Sequence, residues 1–102
     1  AVNQAATVSG AIPLFVAVQQ GHTEIVSLLI GSGAAVNQAA TVSGAIPLFV
    51  AVQQGHTEIV SLLIGSGAAV NQAATDDGAT TLMVAAQKGY TEVVSLLIGG
   101  GA

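Results

Sequence analysis

The chain is a tandem repeat, and this repetition constrains its fold more than any other feature. Residues 1–34 read AVNQAATVSGAIPLFVAVQQGHTEIVSLLIGSGA, and residues 35–68 repeat that string without one change. Residues 69–102 follow the same frame with a handful of substitutions. The period of 34 divides the chain into these three units and leaves nothing over for a linker or a second domain. Such a period predicts one domain, residues 1–102, built from stacked supersecondary units.

Each unit has the pattern of two short helices separated by a glycine. In the second unit, residues 45–54 predict a helix of about eight residues, with Pro47 in its first turn. Gly55 follows at the position where a left-handed residue ends a helix. Residues 56–64, HTEIVSLLI, predict a second short helix that begins at one of its first two residues and ends at Gly65. The Asn, Gly, Thr and Ser between these helix pairs indicate hairpin-like turns.

The second helix is apolar around most of its circumference. Ile59, Leu62 and Leu63 form one stripe, and Val60 and Ile64 form another beside it. Helices this short are marginal in water on their own, and a helix that is apolar on most sides is buried on most sides. The sequence therefore predicts that neighbouring units stabilise one another by stacking.

The pattern of the second unit resembles the ankyrin repeat. Read in frame it is G-x-x-P-L-x-x-A-x-x-G-H-x-x-I-V-x-L-L-x-x-x-G-A-x-V-N, carried by Gly44, Pro47, Leu48, Ala51, Gly55, His56, Ile59, Val60, Leu62, Leu63, Gly67, Ala68, Val70 and Asn71. Tetratricopeptide repeats share the period but need longer helices and a Trp/Gly/Tyr/Ala/Phe/Pro pattern that is absent here. The resemblance implies an all-α, right-handed solenoid of stacked helix–turn–helix repeats joined by hairpin-like turns. It also implies a non-catalytic module that binds another protein along its concave face.

Two departures from the family pattern concern the start of the first helix and the length of the unit. The family begins this helix with Thr-Pro-Leu-His, in which the Thr caps the helix and hydrogen-bonds the His. Here Ile12 and Ile46 replace the Thr, and Phe15 and Phe49 replace the His. Losing both polar partners together leaves no buried group unpaired, although an isoleucine cap costs about 1 kcal/mol. Thr80 retains the cap in the third unit. Each unit is one residue longer than the family's usual ~33, which alters the hairpin tip.

The resemblance also implies which positions face a partner, namely the hairpin tips and the ends of the first helices. These positions hold Val8, Ser9, Ala11, Gln19, Gln20, Val42, Ser43, Ala45, Gln53, Gln54, Asp76, Asp77, Ala79, Gln87 and Lys88. Half of the chain's six charged residues fall in the third unit's share of this set. We therefore expect the third unit to supply polar specificity; the alternative is that these are merely solvated turn residues.

Charge excludes several other partners. The net charge is −4 and Lys88 is the single cation, so the chain cannot neutralise the phosphates of a nucleic acid or bind an anionic membrane surface. Every apolar run is too short to span a bilayer. A cytoplasmic location is the expectation that these exclusions leave.

No catalytic, cofactor-binding or metal-binding residue is expected. His22 and His56 hold the family's Gly-His position at the start of the second helix, which is a structural role, and Tyr90 replaces them in the third unit. Residues 76–78, Asp-Asp-Gly, have only part of a calcium loop and are more typical of a plain turn. The repeated asparagines, among them Asn37, are expected to hydrogen-bond the hairpin backbone.

Two features leave other interpretations open. Only 6% of residues are charged, against about 25% in ordinary domains, so much of the surface is expected to be covered, or the chain is an excerpt from a longer protein. Ala1 in place of Met fits an excerpt or a processed chain. Two identical units indicate recent duplication or an engineered array. Uncapped stacking faces at both ends suggest a second function, a scaffold whose copies self-associate end to end.

Overall fold

The computed structural model describes residues 11–37, 46–71 and 80–101. Two short helices form in each repeat, as predicted, and these described residues are otherwise in turns and connecting segments. The helices are α1 (Ala11–Gln20), α2 (Thr23–Gly31), α3 (Pro47–Gln54), α4 (Thr57–Gly65), α5 (Thr81–Lys88) and α6 (Thr91–Gly99). The all-α, helix–turn–helix prediction is confirmed.

A two-residue turn joins the helices of each repeat, and its first residue is a left-handed glycine. Gly21, Gly55 and Gly89 have φ of 77°, 73° and 73°, a conformation that costs glycine nothing. In the second repeat the N–H of Gly55 donates to the carbonyl of Val52, and the next N–H, that of His56, donates to the carbonyl of Ala51. These bonds pair carbonyls that the end of α3 would otherwise leave free. The predicted role of Gly55 is confirmed.

The residue before the first helix caps that helix with its side chain in the third repeat but not in the second, as the sequence predicted. Ile46 is the residue before α3 and makes no side-chain cap bond; it is fully buried, and Phe49 is nearly so. The two apolar replacements therefore pack into the core. Before α5, the hydroxyl of Thr80 accepts a hydrogen bond of 3.3 Å from the N–H of Met83, which is an ordinary N-cap. Thr81 takes the place of Pro47, and its buried hydroxyl donates to the carbonyl of Val70 at 3.1 Å.

The helices form two layers with the core between them. First helices pack on first helices, α1 on α3 and α3 on α5, while second helices pack on second helices, α2 on α4 and α4 on α6. The two helices within a repeat also pack on each other. The repeats therefore stack in sequence order, as a solenoid requires. Among the largest fully buried side chains are Leu14, Leu48, Ile59, Leu63, Leu97, Val26, Val52, Val60 and Val93.

An asparagine ties the loop before α3, and another the loop before α5, to the loop that follows the same repeat. The Oδ1 of Asn37 accepts a hydrogen bond of 2.7 Å from the N–H of Ala69, and its Nδ2 donates to the carbonyl of Gly67 at 3.2 Å. One repeat later, the Nδ2 of Asn71 donates to the carbonyl of Gly101 at 3.1 Å. The expectation that these asparagines bind loop backbone is thus confirmed at both positions. Asn3 lies outside the described residues.

Candidate protein-binding surface

Six of the predicted partner-facing residues form an exposed polar row along one layer of the stack. They are the last two residues of each first helix, and all of them are exposed. Because packed helices lie about 10 Å apart, the row repeats at about that spacing. We call it the amide row, because five of its six residues are glutamines. The row consists of Gln19, Gln20, Gln53, Gln54, Gln87 and Lys88.

The position of the row follows from the local sequence. In α1, the residues just before it, Ala17 and Val18, are buried in the core, and the chain then turns away at the left-handed Gly21. The last turn of the helix is therefore the point where its surface emerges into solvent. Lys88 sits there on α5, where the negative end of the helix dipole favours a cation. Each glutamine amide offers both donors and an acceptor.

Nine members of the predicted set are not part of this row. Ala11 is the first residue of α1. The other eight lie outside the described residues: Val8, Ser9, Val42, Ser43, Ala45, Asp76, Asp77 and Ala79. Of the seven predicted residues that the structure describes, six therefore share the exposed ends of the first helices.

A second set of exposed residues, which we call the acidic row, lies at the start of the second helices. Glu24, Glu58 and Glu92 each occupy the first turn of a second helix and are exposed. The helix dipole favours a negative charge at this point, so the row has a structural reason to exist. It holds three of the five acidic residues of the chain.

Between the two rows, a column of rings packs on the left-handed glycines. The imidazole of His56 lies against Gly21, and a Cβ built there would be 3.0 Å from the ring's Cε1. The phenol of Tyr90 covers Gly55 in the same way, at 3.2 Å from its Cζ. Among the residues that the structure describes, none hydrogen-bonds the buried Nε2 of His56. The sequence predicted a structural role for these rings but not their contact with the glycine of the preceding repeat. The Gly-His and Gly-Tyr pairs were the signal in the sequence that could have indicated this contact.

In residues 11–37, 46–71 and 80–101, no group of three or more His, Cys, Asp or Glu side chains could hold a metal ion. Within those same ranges, no helix combines the length and the apolar character needed to cross a bilayer.

Paired short helices that stack in sequence order and present a polar row define a helical-repeat solenoid, a class that binds through extended surfaces. The family profile of ankyrin repeats, in three copies, matches residues 14–102. The chain belongs to the ankyrin repeat family. Ankyrin repeats are generally protein–protein interaction modules and are typically not enzymes. Comparison with curated protein sequences gives no match.

Proposed function

We propose that the chain binds another protein along the side of the array formed by its first helices, with the amide row as a principal contact. One observation carries this proposal: the same two positions are exposed and polar or charged in all three repeats. The two positions before them are buried and apolar in α1, where they are Ala17 and Val18, and in α3, where they are Ala51 and Val52. A regular row of exposed amide donors and acceptors suits the polar backbone and side chains of an extended partner segment.

The charge of the chain indicates the charge of the partner. The net charge is −4 with one cation, and each glutamate of the acidic row follows the amide row by four residues along the chain. Complementary potentials speed association, so we propose a partner whose contacting segment is basic. The association rate should then fall as salt is raised, because the attraction is screened beyond about 8 Å at physiological ionic strength.

The hairpin tips complete the proposed surface. Asp76 and Asp77 stand at tip positions that hold Val and Ser in the first two repeats, so the third repeat contributes charge-based specificity. Replacing both aspartates with alanine should weaken partner binding, and unchanged affinity would reject their role. A cytoplasmic location stays a prediction.

The amide row offers a clean test. A variant with all six of its residues changed to alanine should keep its fold, because the positions are exposed and alanine favours helices. The matched control changes Ser27, Ser61 and Ser95 to alanine; they are exposed in all three repeats but lie on the second helices. Proteins captured by the wild-type chain are purified and titrated against both variants by calorimetry.

We expect the amide-row variant to bind at least about 10-fold more weakly than wild type, a difference of about 1.4 kcal/mol. The serine variant should bind like wild type. A captured protein that binds both variants with wild-type affinity contacts neither surface, and the proposal would then be wrong.

A further inference from the structure

The first and second repeats form a controlled comparison, because their sequences are identical. Any difference in exposure between them comes from what packs on each repeat. Val16 is 48% exposed and its counterpart Val50 only 6%; Ile25 is 47% exposed and its counterpart Ile59 only 1%. Leu28 is 70% exposed. The first repeat therefore leaves open the surface that the second repeat buries. We call this the leading face: Val16, His22, Ile25 and Leu28.

The third repeat shows the opposite imbalance. Met83 and Ile98 are both 59% exposed. Their counterparts in the second repeat, Phe49 and Ile64, are 8% exposed and partly buried respectively. Ile64 is covered by the third repeat, since a Cβ built on Gly100 would lie 2.7 Å from its Cγ2. The third repeat thus leaves open the surface with which the second repeat meets its successor. We call this the trailing face: Leu82, Met83, Ala86, Gly89 and Ile98.

The ring-on-glycine contact is divided between the two faces. At both internal boundaries a ring of one repeat covers the left-handed glycine of the repeat before it. On the leading face, His22 is an exposed ring. On the trailing face, a Cβ built on Gly89 would meet no heavy atom within 4 Å. Each face carries the half of the contact that the other lacks.

We propose that a second copy of this chain docks its leading face on the trailing face, so that its first repeat continues the array as a fourth. In this register His22 of the second copy covers Gly89, as His56 covers Gly21. Ile98 meets Ser32 of the second copy, which is the equivalent of Gly100. The partner is a second copy of the chain because its leading face is identical in sequence to the face that the second repeat packs against the first. The residues of the amide row are not among those that define the two faces.

The charge and size of the two faces fit this association. Neither face includes a charged side chain, so no charge needs to be desolvated. The trailing face is less well filled than an internal boundary, because Met83 replaces Phe49 and Ala86 replaces the buried Val52. The junction is therefore weaker than an internal boundary and depends on concentration. Since the two faces are different surfaces, the contact is heterologous and does not close on itself.

Three single substitutions test the proposal. Leu28→Glu places a charge on the leading face and Ile98→Glu places one on the trailing face; both residues are mostly exposed, so the isolated chain should fold. The control, Ser27→Glu, adds the same charge to the adjacent residue, and serine is exposed at this position in every repeat. Sedimentation velocity from about 10 µM to about 1 mM, a range suited to a weak interface, gives the mass. Circular dichroism checks the helices.

Wild type and Ser27→Glu should both grow with concentration in multiples of 9.9 kDa. Leu28→Glu and Ile98→Glu should each associate at least about 10-fold more weakly. Their equimolar mixture should form dimers only, because one retains the trailing face and the other the leading face. Wild type that stays monomeric, a mixture that stays monomeric, or Ser27→Glu as defective as Leu28→Glu would each overturn the proposal. The proposal would also be overturned if Leu28→Glu alone or Ile98→Glu alone associated as strongly as wild type.

Discussion

The imidazole of His56 lies against the α-carbon of Gly21 across the boundary of the first two repeats, so closely that a Cβ on the glycine would be 3.0 Å from the ring. The phenol of Tyr90 stands in the same relation to Gly55. These glycines therefore meet two demands at once. Their positive φ ends a helix, and their missing side chain leaves room for the next repeat. This gives two separate physical reasons for glycine at the position, and they can be measured separately.

Gly55→Ala and Gly89→Ala separate the two demands. Both glycines have φ of 73° with nearly equal ψ, so alanine meets the same backbone strain, about 1 kcal/mol. Only Gly55 has a ring within 4 Å. We expect Gly55→Ala to lower the free energy of unfolding by about 1 kcal/mol more than Gly89→Ala, because overpacking adds a penalty of this size. Urea denaturation below the concentration of end-to-end assembly measures both.

Removing the ring provides the control for this pair. In a chain that already carries Tyr90→Ala, Gly55→Ala should lower the free energy of unfolding only by the backbone strain, because the ring is gone. Comparing the two single variants with the double variant isolates the contact. Equal losses for the two single glycine variants would show that the ring does not constrain the glycine.

The amide of Asn37 is expected to stabilise the stack through both of its ends. Asn37→Ala loses the bonds to Ala69 and Gly67 and should lower the free energy of unfolding by about 1 to 2 kcal/mol. Asn37→Asp keeps the acceptor for Ala69 but loses the donor to Gly67, so its loss of stability should be smaller than that of Asn37→Ala. Asn71→Ala removes a bond to Gly101 and tests the third repeat. Thermal unfolding followed by circular dichroism gives the values; an Asn37→Ala variant as stable as wild type would contradict this role.

The cap at Thr80 can be tested by a pair of substitutions. Thr80→Ala removes the hydroxyl that accepts from the N–H of Met83 and should cost about 1 kcal/mol of stability. Thr80→Ser keeps the hydroxyl and should stay within about 0.5 kcal/mol of wild type. A Ser variant as unstable as the Ala variant would show that the methyl group matters and the hydrogen bond does not. Chemical denaturation distinguishes the two outcomes.

Much of the fold could be predicted from the sequence because it is determined locally. Pro47 fixes the first turn of α3, and Gly55 ends it in the one conformation that disfavours other residues. The contacts between His56 and Gly21, and between Asn37 and Ala69, could not be derived this way, since they join residues more than 30 positions apart. They depend on how one repeat is superimposed on the next.

The difference in exposure between identical residues could not be predicted from the sequence, for another reason. Val16 and Val50 have the same neighbours along the chain, yet one is half exposed and the other buried. Only their positions in the stack distinguish them. The ends of the first helices, in contrast, are among the positions that the resemblance to ankyrin repeats implied, and they are exposed. The same prediction included hairpin-tip positions, which apart from Ala11 lie outside the described residues.

Two substitutions on the trailing face should strengthen the end-to-end association. Met83→Phe and Ala86→Val together give it the side chains of the second repeat, where Phe49 and Val52 are buried at the boundary. Placed on the Leu28→Glu chain, the two changes leave the leading face blocked, so this variant should remain monomeric by itself. Mixed with Ile98→Glu, it should form the heterodimer about 10-fold more tightly than Leu28→Glu does, since refilling a face with several methylene equivalents is worth about 1 to 2 kcal/mol. Sedimentation velocity on the two mixtures gives the ratio. Weaker pairing by the refilled face would mean that the junction does not reproduce an internal boundary, because at that boundary the same two side chains are covered.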